Sequence, residues 1–255
     1  MCESHLTRRE VLITAAVAAG AVLWNGPTGW AADPLVPAVE VLPGLSIYPR
    51  DAWGADLPPK GSIHREDARF LLVHHTASPN NYATARGLIR QTYSFQTGPE
   101  KRWPDVCYEF FIGRDGDVWE GRAGALAGPV VADATGGSQG FAQLVCLLGD
   151  FTSVLPTPAA RASLAKVLAW LAVRYGIDIS PGATTSFVSR GSQRWPAGTR
   201  VTTSTIAGHR DMSYTACPGD AFYPVLSQVR TAAVAQRDAW STTLRPALRL
   251  RGTTP

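Results

Sequence analysis

The side chains best equipped for chemistry are far apart in this sequence, and any fold it adopts must bring them together. His74 closes the apolar segment Leu72-Val73-His74-His75-Thr76. About 135 residues later, His209 and Cys217 share the stretch Gly208-His209-Arg210-Asp211-Met212-Ser213-Tyr214-Thr215-Ala216-Cys217-Pro218-Gly219-Asp220. Imidazole and thiolate are ligands that Zn²⁺ favours, and three of them leave a fourth tetrahedral position for water. The set therefore points to hydrolytic chemistry, provided that the chain folds its distant segments onto one another. No compact spacing rule in the sequence forces that convergence.

The intervening pattern mixes strands and helices. Arg69–His74 is short and apolar and predicts a buried strand ending at the first histidine. Ala85, Leu88, Ile89, Thr92 and Phe95 recur at helical intervals within 80–96. Val106–Ile112 alternates, which puts Val106, Tyr108, Phe110 and Ile112 on one face and Cys107, Glu109 and Phe111 on the other. A turn at Arg114–Asp117 leads to a hairpin partner at Val118–Glu120, and Phe141–Leu148 reads as a further strand. Thr157 and Pro158 open a helix that buries Leu164, Val167, Leu168, Leu171 and Tyr175 and stops at Gly176. Residues 177–204, rich in Ser, Thr, Gly and Pro, read as a long loop. Ile206–His209 then gives a short strand, and a last helix begins within Asp220–Arg230. Such alternation implies a central sheet with helices on its faces.

Five segments, in this order, make the chain resemble the peptidoglycan recognition protein and type 2 amidase family. They are Pro49–Ala55, Val73–Thr76, Asp105–Ile112, Arg114–Arg122 and Gly208–Gly219, and the resemblance spans roughly residues 48–232. It implies an α/β fold, a central mixed β-sheet flanked by helices with a zinc cleft on one side. It also implies a zinc-dependent N-acetylmuramoyl-L-alanine amidase that acts on peptidoglycan through its muramyl peptide. His74, His209 and Cys217 take the places of the zinc ligands, and Tyr108 that of the catalytic tyrosine. Thr215 stands where some relatives carry a catalytic lysine; it offers a hydroxyl to an oxyanion or merely shapes the loop. Members that only bind peptidoglycan typically lack the cysteine, so Cys217 favours catalysis over a non-catalytic recognition module, the rival reading.

Other residues carry less. Strand alternation turns His75 away from His74 and makes it a core or hydrogen-bonding histidine. Glu109, where asparagine is common among relatives, is expected to be solvated or salt-bridged. Glu120 and Arg122 are expected to be architectural, and Asp211 to orient His209 or its loop. Cys107 and Cys146 lie on neighbouring predicted strands, so a disulfide and a pair of buried thiols both remain open. The segment 128–142 departs most from relatives, with Asp133-Ala134 and Gln139 in the approximate groove positions.

Arg8-Arg9 precede Val11–Ala32, which has no charged residue, a pattern expected of a twin-arginine signal spanning residues 1–32 and of an exported wall or extracellular protein. An uncleaved membrane anchor is the alternative; once cleaved, no stable membrane insertion is expected. Residues 33–47 read as a linker or extended arm, 48–235 as the zinc amidase domain, and 236–255 as a basic tail or a short final helix. The formal net charge is +4, without a basic stripe interleaved with aromatics, so no nucleic-acid partner is expected. The protein is expected to act as a monomer. His-Glu-x-x-His is absent, which removes the commonest zinc peptidase, and three ligands instead of four argue against a structural zinc domain.

Overall fold

The computed structural model describes residues 36–138 and 140–250, with 243–250 described by backbone alone. The expected signal segment and Gln139 lie outside the described residues.

Five strands form the main sheet, in the order β5 (Val118–Glu120), β4 (Phe110–Ile112), β6 (Ala142–Leu147), β3 (Phe70–His75) and β9 (Ile206–Gly208). Pairs β4/β6, β6/β3 and β3/β9 are parallel, and β4/β5 is an antiparallel hairpin. Parallel strands at the centre of a sheet need cover on both faces. Accordingly, every residue of β3 and β6 is buried. Alternate side chains feed two hydrophobic layers. Leu71, Val73, Phe110, Ile112, Val145 and Ile206 face helices α3 (Pro158–Tyr175) and α4 (Leu226–Leu250). Phe70, Leu72, Phe111, Leu144 and Ala207 face the opposite layer, which includes Leu88, Ile89 and Tyr93 of α2 (Ala85–Gln96). The short helix α1 (Asp51–Gly54) adds Trp53 to that second layer. The expected mixed sheet flanked by helices is what the chain forms.

Local signals place the helix ends. Thr84 Oγ1 accepts from Gly87 N at 3.1 Å, so α2 begins at Ala85, where the apolar periodicity begins, and not at Asn80. Thr157 Oγ1 caps α3 through Ala160 N at 3.1 Å, and Gly176 ends it. Helix α3 packs against α4 and the sheet, burying Leu164, Val167, Leu168, Trp170 and Leu171.

Four expectations need correction. Residues 39–47 are not a linker: β1 (Val39–Leu42) and β2 (Leu45–Ile47) form a hairpin whose Leu45 and Ile47 enter the core. Residues 177–204 are not structureless: β7 (Thr184–Val188) and β8 (Arg200–Ser204) pair antiparallel and bury Phe187 and Val201. Residues 236–250 do not form a separate tail, since α4 runs unbroken to Leu250, and Trp240, 4% exposed, packs into the core; residues 251–255 lie outside the described residues. Finally, β4 covers only Phe110–Ile112, and Tyr108 joins Phe111 in the second layer instead of sharing a face with Phe110. Strand periodicity holds only where the ladder is regular, and it breaks before Phe110.

Among the described residues, no helix is long and apolar enough to cross a membrane.

Candidate metal centre

The parallel register of β3 and β9 is what joins the distant histidines. Val73 stands opposite Gly208 as the last pair of that ladder. The next residues are His74, still within β3, and His209, the first residue after β9, so the two stand side by side near the carboxyl ends of the strands, where open α/β sheets place their sites. Their ring centroids lie 4.3 Å apart.

Cys217 returns to this point through a stitched loop. His209–Asp211 is a single 3₁₀ turn, closed by Met212 N donating to His209 O at 2.9 Å. Arg210 N donates to Cys217 O at 3.0 Å, and the Arg210 guanidinium reaches Ala216 O and, at 2.7 Å, Asp220. Gly219 follows at φ +110, and a Cβ there would lie 2.2 Å from Phe151 O, so only glycine permits this approach. The thiol ends 3.6 Å from His74 Nδ1, and ligand atoms of His74, His209 and Cys217 all lie within 4.8 Å of one another.

This donor set fits Zn²⁺. With Zn–S ~2.3 Å and Zn–N ~2.0–2.1 Å, a tetrahedral angle separates sulfur from nitrogen by about 3.6 Å. His74 is 1% exposed, and its Nε2 has no hydrogen-bond partner. Backbone His75 N donates to Cys217 Sγ at 3.4 Å, a bond that favours the thiolate.

Without a metal, the electrostatics keep the ligands uncharged. Burial, then the neighbouring His209, hold His74 well below the ordinary histidine range. Burial lowers His209 to about 4 and pushes the Cys217 thiol up to about 12. Both imidazoles are thus ready to coordinate, and the thiol must lose its proton to do so.

The expected supporting residues take the following places. The Tyr108 ring sits 5.1 Å from that of His74, and burial raises its phenol well above the usual range, keeping the O–H a donor. Thr215 Oγ1 accepts from Cys217 N at 3.1 Å, so it shapes the ligand loop and retains its own proton to donate. His75 turns away as expected, with Nδ1 accepting from Phe151 N at 3.1 Å. Asp211 Oδ2 accepts from Gly208 N at 2.8 Å, and its other oxygen binds the Tyr223 hydroxyl. Glu120 is architectural, accepting from Arg50 N and Leu126 N. Arg122 pairs with Asp133 at 2.5 Å and donates to Val106 O. Cys107, Cys146 and Cys217 are free thiols, which decides against the disulfide.

Glu109 overturns its expectation. It is fully buried, with Oε2 accepting from Leu144 N at 2.7 Å and Oε1 unpartnered. Burial, then the charge of Glu66, raises its carboxyl well above the ordinary range. Glu66, itself pushed up to about 8 by burial, accepts from Gln143 Nε2 at 2.6 Å. Sequence reading missed this pair, because nothing within either local segment announces that the two acids meet.

The family model described as N-acetylmuramoyl-L-alanine amidase matches residues 64–220. The Sus scrofa protein named N-acetylmuramoyl-L-alanine amidase is 31% identical over 187 residues, covering 71% of this chain and 27% of that protein. This chain thus spans about a quarter of the length of the curated amidases it matches. Bos taurus peptidoglycan recognition protein 1 is 28% identical over 188 residues, covering 72% of this chain and 83% of its own length. Among solved structures, Drosophila peptidoglycan recognition protein SD shares the fold, with a TM-score of 0.54 at 21% identity, covering 71% of this chain and 93% of that one.

Proposed function

The chain belongs to the N-acetylmuramoyl-L-alanine amidase family, and we propose on that footing that it is a zinc hydrolase of peptidoglycan. The bond cut joins the lactyl group of N-acetylmuramic acid to L-alanine. The observation that carries this reading is the convergence of His74, His209 and Cys217 at the end of the parallel sheet, with three donors and not four among the described residues.

His74, His209 and Cys217 hold the ion. When bound, Zn²⁺ supplies a Lewis acid for the scissile carbonyl and a water of lowered pKa. The backbone N–H of His75 disperses charge on the Cys217 sulfur. Tyr108, kept protonated by burial beside His74, donates to the oxyanion that develops at the carbonyl. Thr215 adds a second hydroxyl donor from the ligand loop. Asp211 and Tyr223 brace the turn behind His209 through Gly208 N. Export by the route expected from Arg8-Arg9 would deliver such an enzyme to its substrate.

Digestion of defined peptidoglycan tests the proposal. The zinc-loaded protein is expected to release stem peptides with a free L-alanine amino end, identified by mass spectrometry. Cys217→Ser and the chelated protein should release none. Tyr108→Phe should keep its zinc and lose about 10²-fold in rate. Undiminished release by folded Cys217→Ser would overturn the assignment, and binding without new ends would favour a recognition module.

A further inference from the structure

The turn that carries His209 has an unfinished side. Its internal bonds use the His209 carbonyl, which accepts from Met212 N at 2.9 Å and Ser213 N at 3.1 Å. The next three carbonyls, of Arg210, Asp211 and Met212, receive no bond from the turn itself, as at any helix end. Each receives one side-chain donor from a single short segment between β7 and β8. Arg194 Nη1 donates to Arg210 O, Trp195 Nε1 to Asp211 O at 3.1 Å, and Ser192 Oγ to Met212 O at 3.1 Å.

That segment is itself held in shape. Ser192 N donates to Trp195 O at 2.9 Å, Trp195 N to Ser192 Oγ at 2.9 Å, and Ser189 Oγ to Trp195 O at 2.8 Å. It also grips the divergent 128–142 segment, through Arg190 N to Gly137 O at 2.9 Å. Gly136 and Gly137 fill the junction: a Cβ on Gly136 would lie 2.7 Å from Met212 O, and one on Gly137 would lie 2.6 Å from Ser189 Oγ. The metal turn, the 128–142 segment and the β7–β8 hairpin therefore approach one another closely at these two glycines.

We propose that Ser192, Arg194 and Trp195 are positioning residues of the metal centre, holding the His209 turn by three successive carbonyls. The inference rests on the zinc reading above. None of the three touches the ion; they fix the backbone from which one ligand projects, as outer partners do in other metal sites. The hairpin thus serves the site and is not a mere insertion at the edge of the fold.

Zinc affinity measured by chelator competition tests this without substrate. The double variant Ser192→Ala/Trp195→Phe and the single variant Arg194→Ala should each bind zinc on the order of 10-fold more weakly. The Co²⁺-substituted proteins should show altered d–d absorption, because the ligand geometry loosens. Arg194→Lys, which keeps a donor, should restore most of the affinity. The unfolding midpoint of the metal-free variants should stay near that of the parent. Affinity within twofold of the parent and an unchanged Co²⁺ spectrum would overturn the inference, as would a zinc loss fully matched by a loss of metal-free stability. A folded parent that binds no zinc would instead remove the metal reading beneath it.

Discussion

At the residue scale, the burial of Cys217 decides how the site takes up its ion. Its thiol stands at about 12 because burial penalises the thiolate, while His209, lowered to about 4 by the same cause, is already neutral. Between pH 6 and 8 the free site therefore holds one proton that coordination must expel, and it comes from sulfur. Zinc affinity should rise about tenfold per pH unit over this range. Calorimetric titration in buffers of different ionisation enthalpy should find at least one proton released per ion. A count of zero would mean that Cys217 is not a ligand. The identities of these residues were legible in the sequence. That His75 would lend its backbone N–H to the same sulfur was not, since the bond joins positions on different segments.

At the scale of elements, the ends of the chain matter more than their composition suggests. Arg237, Arg245, Arg249 and Arg251 against one acid give the last twenty residues the look of a solvated tail. Trp240 contradicts that impression: it is 4% exposed, and its Nε1 donates to Pro43 O at 3.0 Å, fastening α4 to the turn between β1 and β2. Two segments read as peripheral thus complete each other. Trp240→Ala should cost about 3–5 kcal/mol, read as a lower denaturant midpoint at unchanged slope, with Trp240→Phe costing less. A change below about 0.5 kcal/mol, the range of ordinary surface substitutions, would show that α4 adds nothing beyond this point. Helix caps behaved differently. Thr84, Thr157 and Gly176 act within one or two turns of chain, and all three mark helix ends.

At the scale of the whole molecule, Glu66 and Glu109 make stability depend on pH. Both carboxyls are raised by burial, Glu66 to about 8 with partial relief from Gln143, and the charge of Glu66 lifts Glu109 further. A raised carboxyl contributes stability that is complete below its unfolded value and is lost as pH climbs through its folded one. The fold should therefore weaken between pH 5 and about 8 through this pair. Glu109→Gln removes one of the two charges and should stabilise the protein at pH 8 by on the order of 1–3 kcal/mol. Thermal unfolding of both proteins from pH 5 to 9 checks this; parallel curves would show that the pair carries no such penalty.

The sequence by itself determined what can be written within a few turns of chain: the apolar strands, the capped helices, the ligand types and the Pro-Gly turn after Cys217. Resemblance supplied the order in which these pieces assemble. Tertiary structure alone decided what depends on pairing between distant segments. The β3/β9 register sets His74 beside His209, and the same sheet buries Glu109 next to Glu66. The β7–β8 hairpin, polar and rich in Ser and Thr, closes on the metal turn through side-chain bonds to carbonyls. Such contacts form between segments with no shared periodicity, so no local pattern encodes them. They exist only once the parallel sheet has fixed which ends of the chain are neighbours.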